Sequence, residues 1–413
     1  MAPVLLIIAL IAAVAGFTFA ATSTYDFIAH LDRQVHGLHC SFLPGVSAAD
    51  ASGTSGCHVT LMSPYSSVLR DTIWGGIPIS LPAMAVFGFI AFSAAALWLT
   101  DRKHDPRATG FFALATAVPA LTSVVMGTIA ITALDAVCKV CVGIYIASAA
   151  CAVSAVLLWL EARKAPAQSA GAEVAGAGAA SPQPPMSLEM GLIAFGVGCA
   201  FVGVSVVAYA ANAPDFTKYV GSCGDLPGTR DPKGELVPLG KQGGSVQVIE
   251  VVDPLCPACR AFERRFAASD MYEKASRRGL LFPLDNTCNW MVDAAVHPGA
   301  CAVSEAMICA GEHADVVLAW SFDKQEEIVA AERKNAGAAA RLVVAKFPAL
   351  ANCVGSSKAK ARLNRSLRWA VDNHLPVLTP QLYVNGKRLC DADTDLGLDY
   401  MLTRLVERTR SAK

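Results

Sequence analysis

The sequence predicts a membrane all-α four-helix bundle with a fifth transmembrane helix, followed by a soluble α/β domain that carries a helical insertion. Three observations lead there. Charge is unevenly placed: the 413 residues hold 34 Lys+Arg and 34 Asp+Glu, but only 8 and 10 of these fall in residues 1–213, leaving 26 and 24 for residues 214–413. Hydrophobic residues make up 54% and charged residues 16%, against about 45–50% and about 25% in soluble domains. Finally, a β-branched run at 246–252 leads straight into Cys256 and a helical pattern. The net charge of zero supplies no basic field, which excludes nucleic acid as a partner.

A spanning helix needs about 20 mainly apolar residues. Five stretches qualify: 3–23, 76–100, 110–134, 137–160 and 188–211. The first begins Met1-Ala2-Pro3-Val4, without the basic n-region of a secretory signal, and reads as an uncleaved helix. Arg102, Lys103 and Arg107 follow the second stretch, and Arg163 and Lys164 follow the fourth. The positive-inside rule turns these loops to the cytoplasm. The N-terminus is then inside, and the fifth helix delivers residues 212–413 outside. The Ala-, Gly-, Ser- and Pro-rich stretch 165–186 has linker composition. The expected domains are therefore a bundle at 1–163, a cytoplasmic linker at 164–187, the fifth helix at 188–211, a second linker at 212–245 and the α/β domain at 246–413. If flexible, the second linker would reach about 30 Å.

Fourteen cysteines imply an oxidising compartment or dedicated thiol chemistry. Two pairs have Cys-x-x-Cys spacing: Cys138/Cys141, at the outer end of helix four, and Cys256/Cys259. One helical turn lets two thiols make and break a short disulfide. The same spacing also suits half of a metal site or inert apolar packing. Cys40 and Cys57 lie in the outer loop between helices one and two. Two dithiol pairs on one membrane face suggest thiol–disulfide exchange between them; a structural staple is the plainer use of the loop pair.

The order of these features is specific. A loop cysteine pair precedes Ser63-Pro64-Tyr65-Ser66, then Gly76-Ile77-Pro78 opens helix two, and Cys-x-x-Cys closes the series. Over about residues 1–160 this resembles the vitamin K epoxide reductase family, whose core is a four-helix bundle around a quinone. The resemblance implies an active pair Cys138/Cys141, with Cys141 facing the quinone and Cys138 exchanging with the loop. It implies a shuttle pair in which Cys40 takes electrons from an outer partner and Cys57 passes them to Cys138. Tyr145 matches a quinone-contacting position. Ser63 is a candidate quinone contact, although the cap of a following short helix suits it better. The long Gly45–Gly53 insertion between the loop cysteines departs from the family's short spacing and bears on how Cys40 and Cys57 divide their work.

In the second half, the strand at 246–252 runs into Asp253-Pro254-Leu255-Cys256-Pro257-Ala258-Cys259-Arg260 and a helix at 261–268. A strand leading to Cys-x-x-Cys at a helix start is the thioredoxin arrangement. The helix N-terminus favours a thiolate, which makes Cys256 the nucleophile and Cys259 the resolving thiol. Downstream, Thr379-Pro380 precedes a strand ending in Asn385-Gly386. In thioredoxin-like folds the matching Pro is cis and lies beside the reactive pair, so Pro380 joins the candidate site. A helical segment over 287–372 resembles the insertion of DsbA-type thiol oxidases, and a helix at 396–410 would close the sheet. Ala258 stands where that group often has His. Six further cysteines, Cys223, Cys288, Cys301, Cys309, Cys353 and Cys390, allow 15 pairings, some of them structural. Cys151 and Cys199 read as core packing within helices four and five.

Together the resemblance implies a quinone-dependent, disulfide-generating oxidoreductase of the bacterial inner membrane with its thioredoxin-like domain in the periplasm. Electrons would pass from substrate thiols through Cys256/Cys259, Cys40/Cys57 and Cys138/Cys141 to ubiquinone or menaquinone. Its partners would be reduced secreted or periplasmic proteins, the quinone pool and the bilayer, with no metal. Two alternatives remain at this stage: quinone or quinone-epoxide reduction with the outer domain as electron donor, and a soft-metal-binding membrane protein.

Overall fold

The computed structural model describes residues 1–34, 36–42, 49–50, 55–169, 185–231 and 233–411. Most of the expected cytoplasmic linker and most of the Gly45–Gly53 insertion lie outside these residues. The chain forms two compact units, Met1–Leu69 with Gly76–Pro214, and Arg70–Gly75 with Asp215–Lys413.

The first unit is helical. Its long helices are α1 (Ala2–Ala29), α3 (Ser80–Leu99), α4 (Pro106–Thr132), α5 (Lys139–Ser169) and α6 (Leu188–Ala211), with a short α2 (Gly56–Leu61) in the loop after α1. Among the described residues, five helices are long and apolar enough to cross a membrane. They are apolar all round, as lipid-facing helices must be. Two two-residue ladders, β1 (Leu38–His39) with β2 (Ala49–Asp50) and β3 (Ser67–Val68) with β4 (Ile77–Pro78), tie down the loop. The core is built by α1, α3, α4 and α5, with Leu6, Ala13, Phe87, Ile90, Phe112, Cys151 and Leu158 buried together. Gly143 allows α5 to approach α1, since a Cβ there would sit 2.6 Å from the Phe19 ring. α6 packs outside α3 through Phe201 against Phe89 and Phe92. Cys151 is buried as expected, but Cys199 is exposed on α6. That corrects its reading as core: α6 buries none of its residues fully, so most of its surface is left for lipid. The Ala2 amide donates to Glu161 and the Met186 amide to Asp105. This end carries the basic residues, whereas the loop cysteines and the start of α5 lie at the other end.

The second unit is a five-stranded mixed sheet in the order β5-β7-β6-β8-β9. Its strands are β5 (Val237–Pro238), β6 (Val246–Val252), β7 (Ala275–Leu281), β8 (Gln381–Val384) and β9 (Lys387–Arg388). β6 runs parallel to β7, with Val246 opposite Ala275 and Val252 opposite Leu281, and antiparallel to β8. α7 (Pro257–Ala267) makes the crossover from β6 to its parallel neighbour β7. The helical insertion comprises α8 (Ala300–Ala310), α9 (Ala314–Asp323), α10 (Gln325–Lys334), α11 (Ala338–Lys346) and α12 (Ser357–Asp372), and α13 (Leu398–Ser411) ends the fold. This is a thioredoxin-like sheet with an inserted helical layer. The insertion has its own core, in which Met307, Val317, Ile328 and Val343 are buried with Cys256 and Cys259.

The expected flexible linker 212–245 is corrected. From Asp215 onward the chain belongs to the second unit. Cys223 is disulfide-bonded to Cys390, Asp225 bridges Lys387, and β5 pairs antiparallel with β7. Two more disulfides, Cys288–Cys301 and Cys309–Cys353, staple the insertion. Between α7 and the sheet, buried Arg277 pairs with Glu250 at 2.6 Å and with Glu263. Burial and the charge of Glu250 push the Glu263 carboxyl up to about 7.

Candidate functional site

In the first unit a cavity of about 500 Å³ lies between the helices at the end of the bundle that carries the cysteines. Cys138 immediately precedes α5, and its sulfur accepts the Cys141 amide at 3.2 Å. The first amides of a helix have no partner within it, so a sulfur placed there both satisfies a donor and gains from the helix dipole as a thiolate. Cys141 and Tyr145, one turn apart on α5, also line the cavity.

Cys40 and Cys57 form a disulfide with Cα atoms 5.8 Å apart. Both are buried in one apolar cluster with Phe19, Leu38, Cys138 and Val140. α2 starts under a side-chain cap, Ser55 Oγ accepting the His58 amide, and its second residue is Cys57. The residue before it has to be glycine: a Cβ on Gly56 would stand 2.1 Å from the Val137 carbonyl oxygen. That close approach seats Cys57 beside the backbone leading into Cys138.

Ser63 lines the cavity, but it caps no following helix. It lies after α2 and donates its hydroxyl to the Thr60 carbonyl at 2.8 Å, which corrects its expected role as a cap. Two residues with no assigned part in the sequence reading also face the cavity: Asp26 on α1 and His39 on β1. They are hydrogen-bonded through His39 Nδ1 and Asp26 Oδ1 at 2.6 Å. The available signals were an acidic residue inside an apolar helix and a histidine next to Cys40.

In the second unit Cys256 is the N-cap of α7 and Cys259 its third residue. Pro257 at the first helical position suits the helix start, where an amide would have no partner. The Thr379–Pro380 bond is cis, and the Cys256 thiol faces the Thr379 carbonyl at 3.8 Å. Both cysteines are buried, Cys259 more completely. The Cys256 thiol is brought down to about 6, chiefly by a hydrogen bond from the Cys259 thiol, against the opposing effect of burial, with the Cys259 amide helping. Cys259 is pushed well above the ordinary thiol range by burial and by its neighbour. At neutral pH the pair therefore holds a thiolate and a thiol.

Asp253 and His297 stand behind this pair. Buried Asp253 accepts the Leu255 and Leu284 amides, each at 2.7 Å, and meets His297 Nδ1 at 2.7 Å. Burial works against the charged form of His297, but the bond to Asp253 outweighs it and raises the imidazole above its ordinary value. In the sequence Asp253 shows only as the residue after the strand that leads to Cys256, and nothing links it to His297, 44 residues later.

The structure thus gathers Cys40, Cys57, Cys138, Cys141, Tyr145 and Ser63 in the first unit, and Cys256, Cys259 and Pro380 in the second. Residues 7–156 match the family described as the Vitamin K epoxide reductase family. Among solved structures, the chain is similar to the oxidoreductase DsbA from Xylella fastidiosa, at 20% identity over 43% of this chain and 92% of that one, with a TM-score of 0.32. It is also similar to reduced DsbA1 from Neisseria meningitidis, at 18% identity over 45% of this chain and 100% of that one, with a TM-score of 0.28. No curated protein matches.

Proposed function

With residues 7–156 forming a domain of the vitamin K epoxide reductase family, we propose that this multi-pass membrane oxidoreductase generates disulfide bonds in other proteins and delivers the electrons to a membrane quinone. The observation that carries the reading is the shared wall of the cavity. Cys57, half of a buried disulfide, lines it together with the Cys138/Cys141 pair and Tyr145.

The residues fit a quinone. A volume of about 500 Å³ is within the range of small-molecule pockets, which are mostly apolar with a few placed polar groups. Here Tyr145, Ser63 and Cys141 are the groups that would hold the ring. A bound quinone supplies a two-electron sink.

The remaining steps belong to the chain's own cysteines. A thiolate of a reduced secreted or periplasmic protein attacks Cys256 of the Cys256–Cys259 disulfide and expels Cys259. A second substrate thiolate then attacks the substrate sulfur of the mixed disulfide, and the thiolate tendency of Cys256 makes it a good leaving group. The reduced outer pair then reduces Cys40–Cys57. Cys57 next attacks Cys138 in its disulfide with Cys141, and Cys40 resolves the mixed disulfide. Electrons leave the protein from Cys141. Four disulfides support an oxidising compartment, and the basic residues at the opposite end of the bundle support placing the cysteine end outside the cytoplasm. Under this reading the protein sits in the bacterial inner membrane with residues 212–413 in the periplasm.

The test is quinol formation by purified full-length protein given a reduced, unfolded substrate and either ubiquinone or menaquinone. The expected result is substrate oxidation coupled to quinol formation in wild type, lost in both Cys141→Ala and Cys256→Ala. Normal coupling in Cys256→Ala would overturn the proposed entry point.

A further inference from the structure

Oxidising two thiols with a quinone moves protons as well as electrons. Two S–H bonds break, one S–S bond forms, and two O–H bonds form on the quinone, which takes up both electrons and both protons. In an apolar cavity inside a bundle, a group must carry those protons. Among the described residues lining this cavity there is no Lys, Arg or Glu, and the Asp and His are Asp26 and His39 alone. An ionisable residue within a spanning helix, as Asp26 is, is expensive and marks function.

The geometry of the pair is that of a base with its orienting carboxylate. Asp26 is buried on α1. Its Oδ2 accepts the His39 amide at 2.9 Å, and its Oδ1 lies 2.6 Å from His39 Nδ1. Both oxygens thus grip one residue, which fixes the imidazole with Nδ1–H toward the carboxylate and leaves Nε2 as the basic nitrogen. Among the described residues Nε2 has no hydrogen-bond partner. His39 is also the residue before Cys40, so the disulfide of the loop pair and the imidazole are placed by the same short strand.

We propose that the Asp26–His39 pair is the proton relay of the membrane site. The inference rests on the quinone-reducing reading above. His39 Nε2 accepts the proton that a cavity thiol loses as it becomes a nucleophile and returns it to a quinone oxygen. Asp26 is a positioning residue that stabilises the imidazolium formed in between. No further oxidant or base is needed.

The test uses the full-length protein and has two readouts. One is quinol formation from a soluble short-chain quinone, driven by a small dithiol, across pH and in D2O. The other needs no quinone: the pH profile of alkylation of the reduced cavity thiols by a small maleimide. The other titratable groups against His39 or on the same cavity wall are Tyr25 of α1, Tyr65, Cys138, Cys141 and Tyr145, with Cys57 once its disulfide is reduced, so single variants of His39 are compared with Tyr65→Phe and Tyr145→Phe. His39→Ala is expected to slow quinol formation roughly a hundredfold, the usual worth of a general base. It should also move the alkylation profile to higher pH and recover rate with added imidazole. Asp26→Asn should give a smaller loss with the same direction of shift. If His39→Ala turns over normally, or slows without moving either pH profile and without imidazole rescue, the relay is wrong while quinone reduction stands. If wild type forms no quinol at all, the quinone-reducing reading falls, and the relay with it.

Discussion

The two Cys-x-x-Cys sites share one piece of local chemistry and differ in everything around it. In both, the first cysteine sits at the start of a helix, α5 or α7, and the second lies one turn inside. In both, the first sulfur is the one served by the helix end: Cys138 accepts the Cys141 amide, and the Cys259 amide lowers the Cys256 thiol. The membrane pair opens on an apolar cavity. The outer pair follows the central strand of a sheet, beside a cis-proline and a buried Asp with its His partner. The helix end favours a thiolate; under the proposed function the surroundings decide whether it meets a small apolar acceptor or a protein chain.

The largest expected effect separates the two sites directly. Cys141→Ala should abolish quinol formation whatever the donor, whereas Cys256→Ala should abolish it only with a protein substrate and spare it with a small dithiol. Equal losses with both donors would erase the functional division between the pairs, and parallel assays with the two donors decide it. Next comes the seat of the loop pair. Gly56→Ala forces α2 off the Val137 carbonyl, and a displacement of about 1 Å at a reacting pair costs on the order of a hundredfold. Stopped-flow quenching with a thiol-alkylating gel assay should show slow transfer from Cys57 to Cys138, with the Cys256 step unchanged.

A third prediction concerns stability in one unit only. Replacing Cys309 and Cys353 by Ser opens a cross-link with a sequence separation of 44. Loop-closure entropy puts the loss at about 4 kcal/mol. Limited proteolysis of the full chain in urea should show earlier cleavage of the second unit and no change in the first. The smallest effect is a titration. A thiol lowered to about 6 is deprotonated above that pH and protonated below it. Alkylation of reduced Cys256 should therefore rise with pH to a plateau, half-complete near pH 6, well below the roughly 8.5 of a free thiol. A midpoint in the ordinary range would remove the likeness between the two helix-end cysteines.

The sequence alone was a good guide wherever the physics is local. Spanning length and apolar composition located the five long helices, and β-branched periodicity placed the strand at 246–252. The Cys-x-x-Cys spacing pointed to the two cysteine pairs that stand at helix starts. What escaped depends on contacts between distant residues. The segment 212–245 has loop composition, yet the Cys223–Cys390 bond and pairing with β7 hold it folded. The Asp26–His39 pair joins a helix to a loop strand 13 residues later, and neither residue signals the other. Gly56 looks like a loop glycine until the Val137 carbonyl is seen beside it. Ser63 precedes a proline and suggests a helix start, but α2 has already ended. Cys199 lies in an apolar helix like Cys151, and only packing distinguishes a core face from a lipid face.

The proposed path turns on the step in which the reduced loop pair hands electrons to the membrane pair through Cys57 and Cys138. The most direct test is to remove both resolving thiols, in the double variant Cys40→Ser with Cys141→Ser, oxidise the purified full-length protein gently, and identify its cross-linked peptides by mass spectrometry. The account predicts a Cys57–Cys138 disulfide as the dominant new linkage. Its absence, in a variant whose Cys57 and Cys138 both remain free to alkylate, would contradict it.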